Sequence, residues 1–255
     1  MSTTSTPPLS GTAGALWRNT VRFFRNRASL MSAFIMPGLF MGAFLIVFGH
    51  AASQTGLDYA LFLLPAAMFQ AAMFSAAVPS MAFAVDAESG ILARLRSMPT
   101  SALAIVLGRL GTDLIRTVAS LATVSVLALV CGAKPHSFGA LALAFLVAAA
   151  ISEILSMFFG GISLRAKHPV SASGVIQSLE VLVLMLSTAF IPVGTLPHWL
   201  QPIVRHQPFS PCVDTMRNIL TGKPLGSTGW EALAWLAIGL CIGAIWVTRS
   251  LRRSK

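Results

Sequence analysis

The sequence is poor in charge, and above all in negative charge. Only 10% of its 255 residues are charged, and eight acidic side chains are outnumbered by eighteen Lys and Arg, which gives a net charge of +10. Ordinary soluble domains carry about 25% charged residues. Together with a mean hydropathy of +0.78, this shortage excludes a large soluble domain and predicts an integral membrane protein.

Cysteine and catalytic motifs are also scarce. Cys131, Cys212 and Cys241 are widely spaced and fit no metal or redox motif, so we interpret them as small apolar packing residues. A disulfide between Cys131 and Cys212, both expected near the outer face, stays open. The sequence contains no GxxxxGK[ST] phosphate loop, no HExxH and no GxSxG motif. We therefore expect neither catalysis nor a bound metal or cofactor in this chain.

Long stretches without charge locate the membrane spans. At about 1.5 Å per helical residue, about 20 apolar residues cross a hydrocarbon core that is about 30 Å thick. The predicted spans are 28–57, 59–85, 113–131, 139–162, 173–193 and 231–248. The expected fold class is therefore an all-α integral membrane protein with six transmembrane helices.

The positions of the basic residues predict the orientation in the membrane. Lys and Arg near span ends are retained on the cytoplasmic side. With the N-terminus inside, the outer loops keep only Lys134, Arg205, Arg217 and Lys223. Both termini are therefore expected in the cytoplasm, where the basic residues contact membrane lipids. Because these residues flank spans and form no separate stripe, we expect no nucleic-acid partner.

The segment before the first span has two parts. Residues 1–11 are rich in Ser, Thr and Pro and are predicted to be a disordered tail, without the features of a signal peptide. In residues 12–28, apolar side chains recur at helical spacing while Arg18, Arg22 and Arg25 take the opposite face. This pattern predicts an amphipathic helix on the inner membrane surface. The alternative is that these basic residues only set the topology and belong to no defined amphipathic helix.

The cytoplasmic connection after the second span combines charged and apolar residues. In the stretch AVDAESGILARLRSMPTS, Leu92 and Leu95 share one helical face, Gly90 precedes that face, and Pro99 ends it. We predict a short cytoplasmic helix, parallel to the membrane, that enters a cleft on a partner protein. A solvated loop with an interfacial helix is the alternative.

The connection between the fifth and sixth spans is rich in proline. Residues 190–224 hold too many prolines to form one helix, and apolar residues stand between them. Ser210 as N-cap, Pro211 at the first position and Gly222 at the end predict a short helix. We expect an outer re-entrant hairpin over about 192–224, shielded by protein because irregular backbone is not tolerated in lipid. It serves either as a structural cap or as part of an outer gate.

Two acidic residues fall inside predicted spans. Glu153 and Glu180 each lie about 11 to 14 Å from the cytoplasmic end of their span, so antiparallel neighbours could bring them together. Such residues usually face the bundle interior or a wet cavity. They either hold helix packing or line a cargo path, and proton coupling is a third role. Phe34, Phe40 and Phe44 of the first span suit an apolar cargo surface, although lipid contact or packing explains them as well.

Two proline-containing motifs each follow a predicted span. The one after the second span comprises Asp86, Glu88, Gly90, Leu95 and Pro99. The one after the fifth span comprises Phe190, Pro192, Pro197, Trp199 and Pro202. In these motifs, and in its plan from about Trp17 onward, the chain resembles type 2 permeases of ABC transporters, and among them the daunorubicin/doxorubicin-resistance-type exporters of actinobacteria.

This resemblance implies a function and its partners. By this resemblance, the chain is one six-span half of a transmembrane unit, here residues 29–255. Two halves pair, either as two copies of one chain or as one chain with a sister permease. Each half presses a coupling helix, here about 88–99, into a separate ABC ATP-binding subunit that holds ATP and Mg. The implied contact residues are Asp86, Glu88, Gly90, Leu92, Arg94, Leu95 and Pro99, and the implied outer gate residues are Phe190, Pro192, Pro197 and Trp199.

The cargo implied by the resemblance is a drug, an antibiotic or a lipid, moved out across the cytoplasmic membrane of a bacterium. The alternative is a self-contained membrane carrier or a lipid-modifying membrane enzyme that uses Glu153 and Glu180. A bound ATP-binding subunit would favour the first reading, and turnover by the chain alone would favour the second.

Overall fold

The computed structural model describes residues 20–21, 24–25, 27–53, 58–88, 102–189 and 197–253, and this part of the chain is helical without strands. Its helices are α1 (Arg27–Ser53), α2 (Tyr59–Glu88), α3 (Ala102–Val130), α4 (Phe138–Arg165), α5 (Pro169–Met185), α6 (Gln201–His206), α7 (Phe209–Thr221) and α8 (Gly226–Arg253). The all-α class expected from the composition is confirmed.

Within the described residues, four helices are long and apolar enough to cross a membrane. The qualifying segments are Tyr59–Val78 in α2, Leu110–Val130 in α3, Phe138–Arg165 in α4 and Gly226–Ser250 in α8. Two shorter apolar helices, Ala33–Gly49 within α1 and Pro169–Met185, coincide with the first and fifth predicted spans. The structure therefore agrees with a multi-pass membrane protein, and the count of six spans stays a prediction.

Helix α2 is the centre of the bundle. It packs against α1, α3, α4, α5 and α7. Its buried residues include seven alanines, namely Ala60, Ala66, Ala67, Ala71, Ala72, Ala76 and Ala77. Small side chains let membrane helices approach closely, because association in lipid depends on van der Waals packing. By contrast, α8 lies at the periphery on α4 and α7, with a smaller contact to α3.

Helix α5 is shorter than the predicted span 173–193. It ends at Met185, and its 17 residues make it about 25 Å long. The chain turns there, and the side-chain Nε2 of Gln207 donates to the carbonyl of Leu186 at 2.8 Å. A tertiary hydrogen bond thus satisfies a carbonyl group at the helix end, where no intrahelical partner is available.

Helix α7 corrects one predicted boundary and confirms the other. It begins at Phe209, so Ser210 lies inside the first turn and is not the N-cap. Its Oγ instead accepts a hydrogen bond from the backbone N–H of Thr188 at 3.3 Å. The helix ends at Gly222, as predicted, with φ 70° in the left-handed region. A Cβ at Gly222 would also meet the ring of His136.

The three cysteines are free thiols. Cys131 and Cys241 are exposed, and Cys212 is buried, so the disulfide left open by the sequence is not formed in the structure. Burial raises the pKa of the Cys212 thiol to about 12. The interpretation as a packing residue is confirmed for Cys212, but Cys131 and Cys241 are exposed and do not bear it out.

Several predicted features lie partly or wholly outside the described residues. The tail 1–11 lies outside, and 12–28 is described, as helix, at 20–21, 24–25 and 27–28. Asp86 and Glu88 belong to the last turn of α2. The other predicted coupling residues, Gly90, Leu92, Arg94, Leu95 and Pro99, lie outside, as do Phe190 and Pro192 of the predicted gate.

Candidate functional site

A seam of small polar side chains joins α2, α3 and α4 inside the bundle. The hydroxyl of Thr117 lies 2.9 Å from that of Ser75 and 2.8 Å from that of Ser152. One helical turn away, the hydroxyl of Ser156 donates to Oδ2 of Asp113 at 3.0 Å. Because buried polar groups need partners, the seam fixes the register of three helices.

Asp113 is the acidic residue that sequence reasoning missed. The predicted span places it at a wet helix end, but α3 begins earlier, at Ala102, and Asp113 is only 7% exposed. A signal was present in the sequence, since Asp113, Thr117 and Ser120 recur at helical spacing on one face. A polar stripe on an apolar membrane helix indicates its interior face.

Glu153 lies beside this seam. It follows Ser152 on α4, and its Oε1 is buried without a hydrogen-bond partner among the described residues. Asp113 is near enough for the two carboxyl groups to interact electrostatically. The acidic residue near Glu153 in the structure is thus Asp113. The proximity of Glu153 and Glu180 stays a prediction.

Glu180 is buried more deeply, with 3% of its surface exposed. It shares the buried face of α5 with Pro169, Ser173, Ile176 and Leu184. Within the described part of the chain, neither of its carboxyl oxygens has a hydrogen-bond partner. A buried carboxyl group without a partner is costly, and acidic residues inside membrane bundles usually mark substrate or ion pathways. Glu180 therefore remains a candidate residue of the cargo path.

The predicted aromatic residues of α1 differ in their surroundings. Phe34 is 44% exposed. The rings of Phe40 and Phe44 lie 4.6 Å apart, and Phe44 continues to Phe48 at 5.7 Å. Phe48 in turn lies 6.4 Å from the ring of Tyr59 on α2. Phe40 and Phe44 thus belong to an aromatic ladder that leads from α1 to α2.

A cavity of about 280 Å³ lies between α1, α2, α3 and α5. Four polar residues, Ser75, Arg116, Ser120 and Gln177, line it together with apolar residues that include Met36, Phe74 and Val181. An apolar wall with a few polar groups is typical of sites that bind small molecules. The lining includes none of Glu153, Glu180, Phe34, Phe40 and Phe44. It shares Ser75 with the seam, so the two features adjoin.

Arg217 on α7 joins three elements at one end of the bundle. Its Nη1 donates to Oδ1 of Asp214 at 2.9 Å, and its Nη2 donates to the carbonyls of Thr188 and Ala189 at 3.4 and 3.5 Å. Its guanidinium lies 5.2 Å from the ring centroid of Phe62 on α2. Burial raises the pKa of Asp214 and lowers that of Arg217, and the opposite charge of the partner offsets part of each shift.

A second set of hydrogen bonds holds the same turn. Gln207 donates to Ser210 Oγ at 2.9 Å, and the hydroxyl of Thr188 donates to the Ser210 carbonyl at 3.3 Å. We call residues 186–189, α6 and α7 the cap. Of the predicted gate residues, Pro197 and Trp199 precede α6 and are exposed, Trp199 by 71%. An exposed Trp is typical of the membrane interface.

The sequence is similar to known transport proteins along most of its length. The profile of the ABC-2 type transporter family matches residues 13–221. The daunorubicin resistance ABC transporter permease protein DrrB1 of Streptomyces coeruleorubidus is 26% identical over 245 residues, which cover 96% of this chain and 86% of DrrB1.

Two proteins of Mycobacterium tuberculosis are similar as well. The one named "Probable doxorubicin resistance ABC transporter permease protein DrrC" is 26% identical over 227 residues, which cover 88% of this chain and 82% of that protein. The doxorubicin resistance ABC transporter permease protein DrrB is 28% identical over 232 residues, which cover 85% and 80% respectively.

Proposed function

Because the chain belongs to the ABC-2 type transporter family, we propose that it is the permease subunit of an ATP-driven bacterial exporter of drug-like, apolar or amphipathic compounds. The similar proteins are named as daunorubicin and doxorubicin resistance permeases. ATP and Mg bind to a separate ABC ATP-binding subunit. Family membership favours this function over a self-contained carrier or a lipid-modifying enzyme.

The proposed architecture has six spans, with both termini in the cytoplasm. The shorter apolar helices, Ala33–Gly49 and Pro169–Met185, supply the first and fifth spans beside the four long ones. An even number of spans returns the chain to its starting side, and the basic residues at the end of α8 favour the cytoplasm for that side. The permease unit is completed by a second copy of this chain or by a sister permease.

The cavity between α1, α2, α3 and α5 is the observation that carries the proposal. Its wall is mostly apolar, and Gln177 adds an amide that can donate or accept a hydrogen bond. A compound with a greasy body and a few polar substituents fits such a lining. We therefore assign the cargo site to this cavity, with Glu180 acting nearby, since it lies one helical turn from Gln177 on α5.

Helix α2 offers a direct mechanical link from the ATP-binding subunit to the cargo. It runs without interruption from Tyr59 to Glu88, where the predicted coupling segment begins, and it carries Ser75 of the cavity. The distance from Ser75 to Glu88 along the helix is about 20 Å. A push on residues 88–99 would therefore move one wall of the cavity. Such a movement can shift the bundle between inward-open and outward-open states.

A cavity-filling substitution tests the cargo site. Val181 lines the cavity, whereas its neighbour Leu182 does not, and the two are 46% and 55% exposed. Val181→Trp should lower ATP-dependent efflux of doxorubicin severalfold, because the indole occupies the space of the cargo. The measurement is efflux from vesicles that contain the permease and its ATP-binding subunit.

Leu182→Trp is the matched control and should transport like the wild type. A pull-down of the ATP-binding subunit should give wild-type recovery with both variants. Normal efflux by Val181→Trp would move the cargo site elsewhere. A wild-type chain that binds no ATP-binding subunit and exports no apolar compound would contradict the proposed function itself.

A further inference from the structure

A second cavity lies between α4, α7 and α8, and shares no residue with the proposed cargo cavity. Its volume is about 190 Å³, and apart from the thiol of Cys212 its side chains are hydrocarbon or aromatic. It exceeds the engineered cavity of about 150 Å³ that stays dry and binds benzene in another protein. We call this cavity the lateral groove. Its apolar lining offers few polar partners for water.

The two long walls of the lateral groove are helices that are long and apolar enough to cross a membrane. Its wall on the peripheral helix α8 includes Ile238 and Ile242, which are 49% and 50% exposed, together with Trp235. The wall on α4 includes Ile151 and Phe158 of a membrane-crossing helix. Because both long walls belong to helices that are long and apolar enough to cross a membrane, acyl chains have access to an opening between them.

The depth of the groove matches one leaflet. Near the start of α8, Oε2 of Glu231 lies 3.7 Å from Nδ1 of the exposed His206. The neighbouring Trp230 is 76% exposed. Exposed charged and Trp side chains are typical of the membrane interface, so we place the interface at this level. Along α8, the groove runs from Trp235 to Ile242, about 6 to 16 Å below Glu231. Half of a hydrocarbon core is about 15 Å. The groove therefore spans the acyl region of a single leaflet.

We propose that the lateral groove binds one acyl chain of a membrane phospholipid in the leaflet on the side of the cap. The chain would contact Phe209 and Cys212 on α7. On its other side, the ring of Phe209 lies 5.5 Å from that of Phe69 on α2. A bound chain thus fills the space behind α7 and supports the packing of the cap on the central helix. This role goes beyond transport and assigns lipid as a ligand.

Photo-crosslinking with a lipid probe tests this proposal. The full chain is reconstituted in vesicles of phosphatidylethanolamine and phosphatidylglycerol that contain a trace of phosphatidylethanolamine with a diazirine in mid-chain. After irradiation, peptide mapping should find the label enriched on groove residues of α4 and α7. Ile242→Trp should lower that labelling severalfold, because the larger side chain fills the groove.

Ile245→Trp is the matched control, since Ile245 is 53% exposed on the same helix but does not line the groove. Its labelling of α4 and α7 should equal that of the wild type. Ile238→Trp provides a second filling variant if Ile242→Trp is not monodisperse. Label spread evenly over lipid-facing residues, or unchanged in both filling variants, would overturn the proposal. So would a cysteine crosslink from position 238 to a second protein chain, which would identify a protein occupant.

Discussion

At the scale of single residues, the buried acidic side chains differ in whether their carboxyl groups have hydrogen-bond partners. Asp113 has a donor in Ser156, and its position in the seam explains its burial. Glu180 is equally enclosed but, among the described residues, neither carboxyl oxygen has a partner. A packing role alone would be better served by an apolar or amide side chain, because an unpaired carboxyl group costs free energy in a membrane interior.

Glu180→Gln should therefore change transport more than assembly. The amide keeps the shape of the side chain but removes the acidic group that can meet a cationic or hydroxylated cargo. We expect reduced efflux with a normal pull-down of the ATP-binding subunit, and the same trend for Glu153→Gln. Glu231→Gln, at the exposed start of α8, is the control and should transport normally. Wild-type efflux from both buried variants would leave Glu153 and Glu180 with a packing role only.

At the scale of elements, polar contacts of Arg217, Gln207 and Ser210 fasten the parts of the cap to one another, whereas the buried apolar face of α7 holds the cap on the bundle. Most of these contacts reach the turn after α5, so α5 and α7 are fastened at one point. Val213 and Met216 of α7 are fully buried, so movement of the cap as a gate requires these core contacts to shift. A gate must be stable when closed, yet open at a cost that ATP-driven rearrangement can meet.

Arg217→Gln should loosen the cap. The shorter neutral side chain loses the ion pair with Asp214 and the contact with Phe62. A hydrogen bond to a charged group contributes about 1.5 to 3 kcal/mol to the free energy of unfolding. We expect a lower Tm and faster maleimide labelling of Cys212, measured in a background of Cys131→Ser and Cys241→Ser. Arg205→Gln on exposed α6 should leave both values unchanged. Equal labelling rates in the two variants would show that Arg217 does not hold the cap.

The predicted coupling segment is the second element with a testable role. Leu95→Ala or Gly90→Pro should weaken binding of the ATP-binding subunit. Truncating a central buried contact commonly costs about 1 to 2 kcal/mol or more of binding free energy. We expect an intact, membrane-inserted permease whose partner binds weakly or hydrolyses ATP without transport. The measurements are a pull-down and cargo-stimulated ATPase activity in vesicles, with Ser97→Ala as the control. Wild-type coupling in Leu95→Ala and Gly90→Pro would exclude this segment as the coupling helix.

At the scale of the whole molecule, the bundle is organised around one interior helix with its flanks open to lipid. Helix α2 contacts five others, and α8 presents most of its surface outward. The proposed cargo cavity is lined by α1, α2, α3 and α5, whereas the lateral groove is lined by α4, α7 and α8, so the two share no helix. This arrangement separates the proposed cargo site from the proposed lipid site.

The proposed topology makes a further prediction for the whole molecule. In a cysteine-free background, a cysteine at Thr55 or Ser227 should react with an impermeant maleimide in intact cells. One at Ser97 or Ser254 should react only after the cells are opened, because the basic residues near it are retained in the cytoplasm. Labelling of position 97 from outside would reverse the orientation and contradict the coupling assignment.

The sequence alone determined the class of the protein, most span positions and the family resemblance. Low charge and long apolar runs require a membrane solvent, and Gly222 ends α7 because few other residues adopt its left-handed backbone. The two motifs around Glu88 and Trp199 suggested the family that the profile over residues 13–221 establishes. These features are local, so each can be read from neighbouring residues.

Only the tertiary structure decided which faces are interior. The spanning segments of α2 and α8 have the same mean hydropathy of 1.8, yet 78% of the first and 17% of the second are buried. In lipid, an apolar side chain is equally suited to a neighbouring helix or to an acyl chain, so hydropathy does not distinguish the two. The burial of Asp113, the hydrogen bond of Gln207 at the end of α5 and both cavities depend on contacts between residues far apart in the chain. Those contacts exist only once the helices have packed.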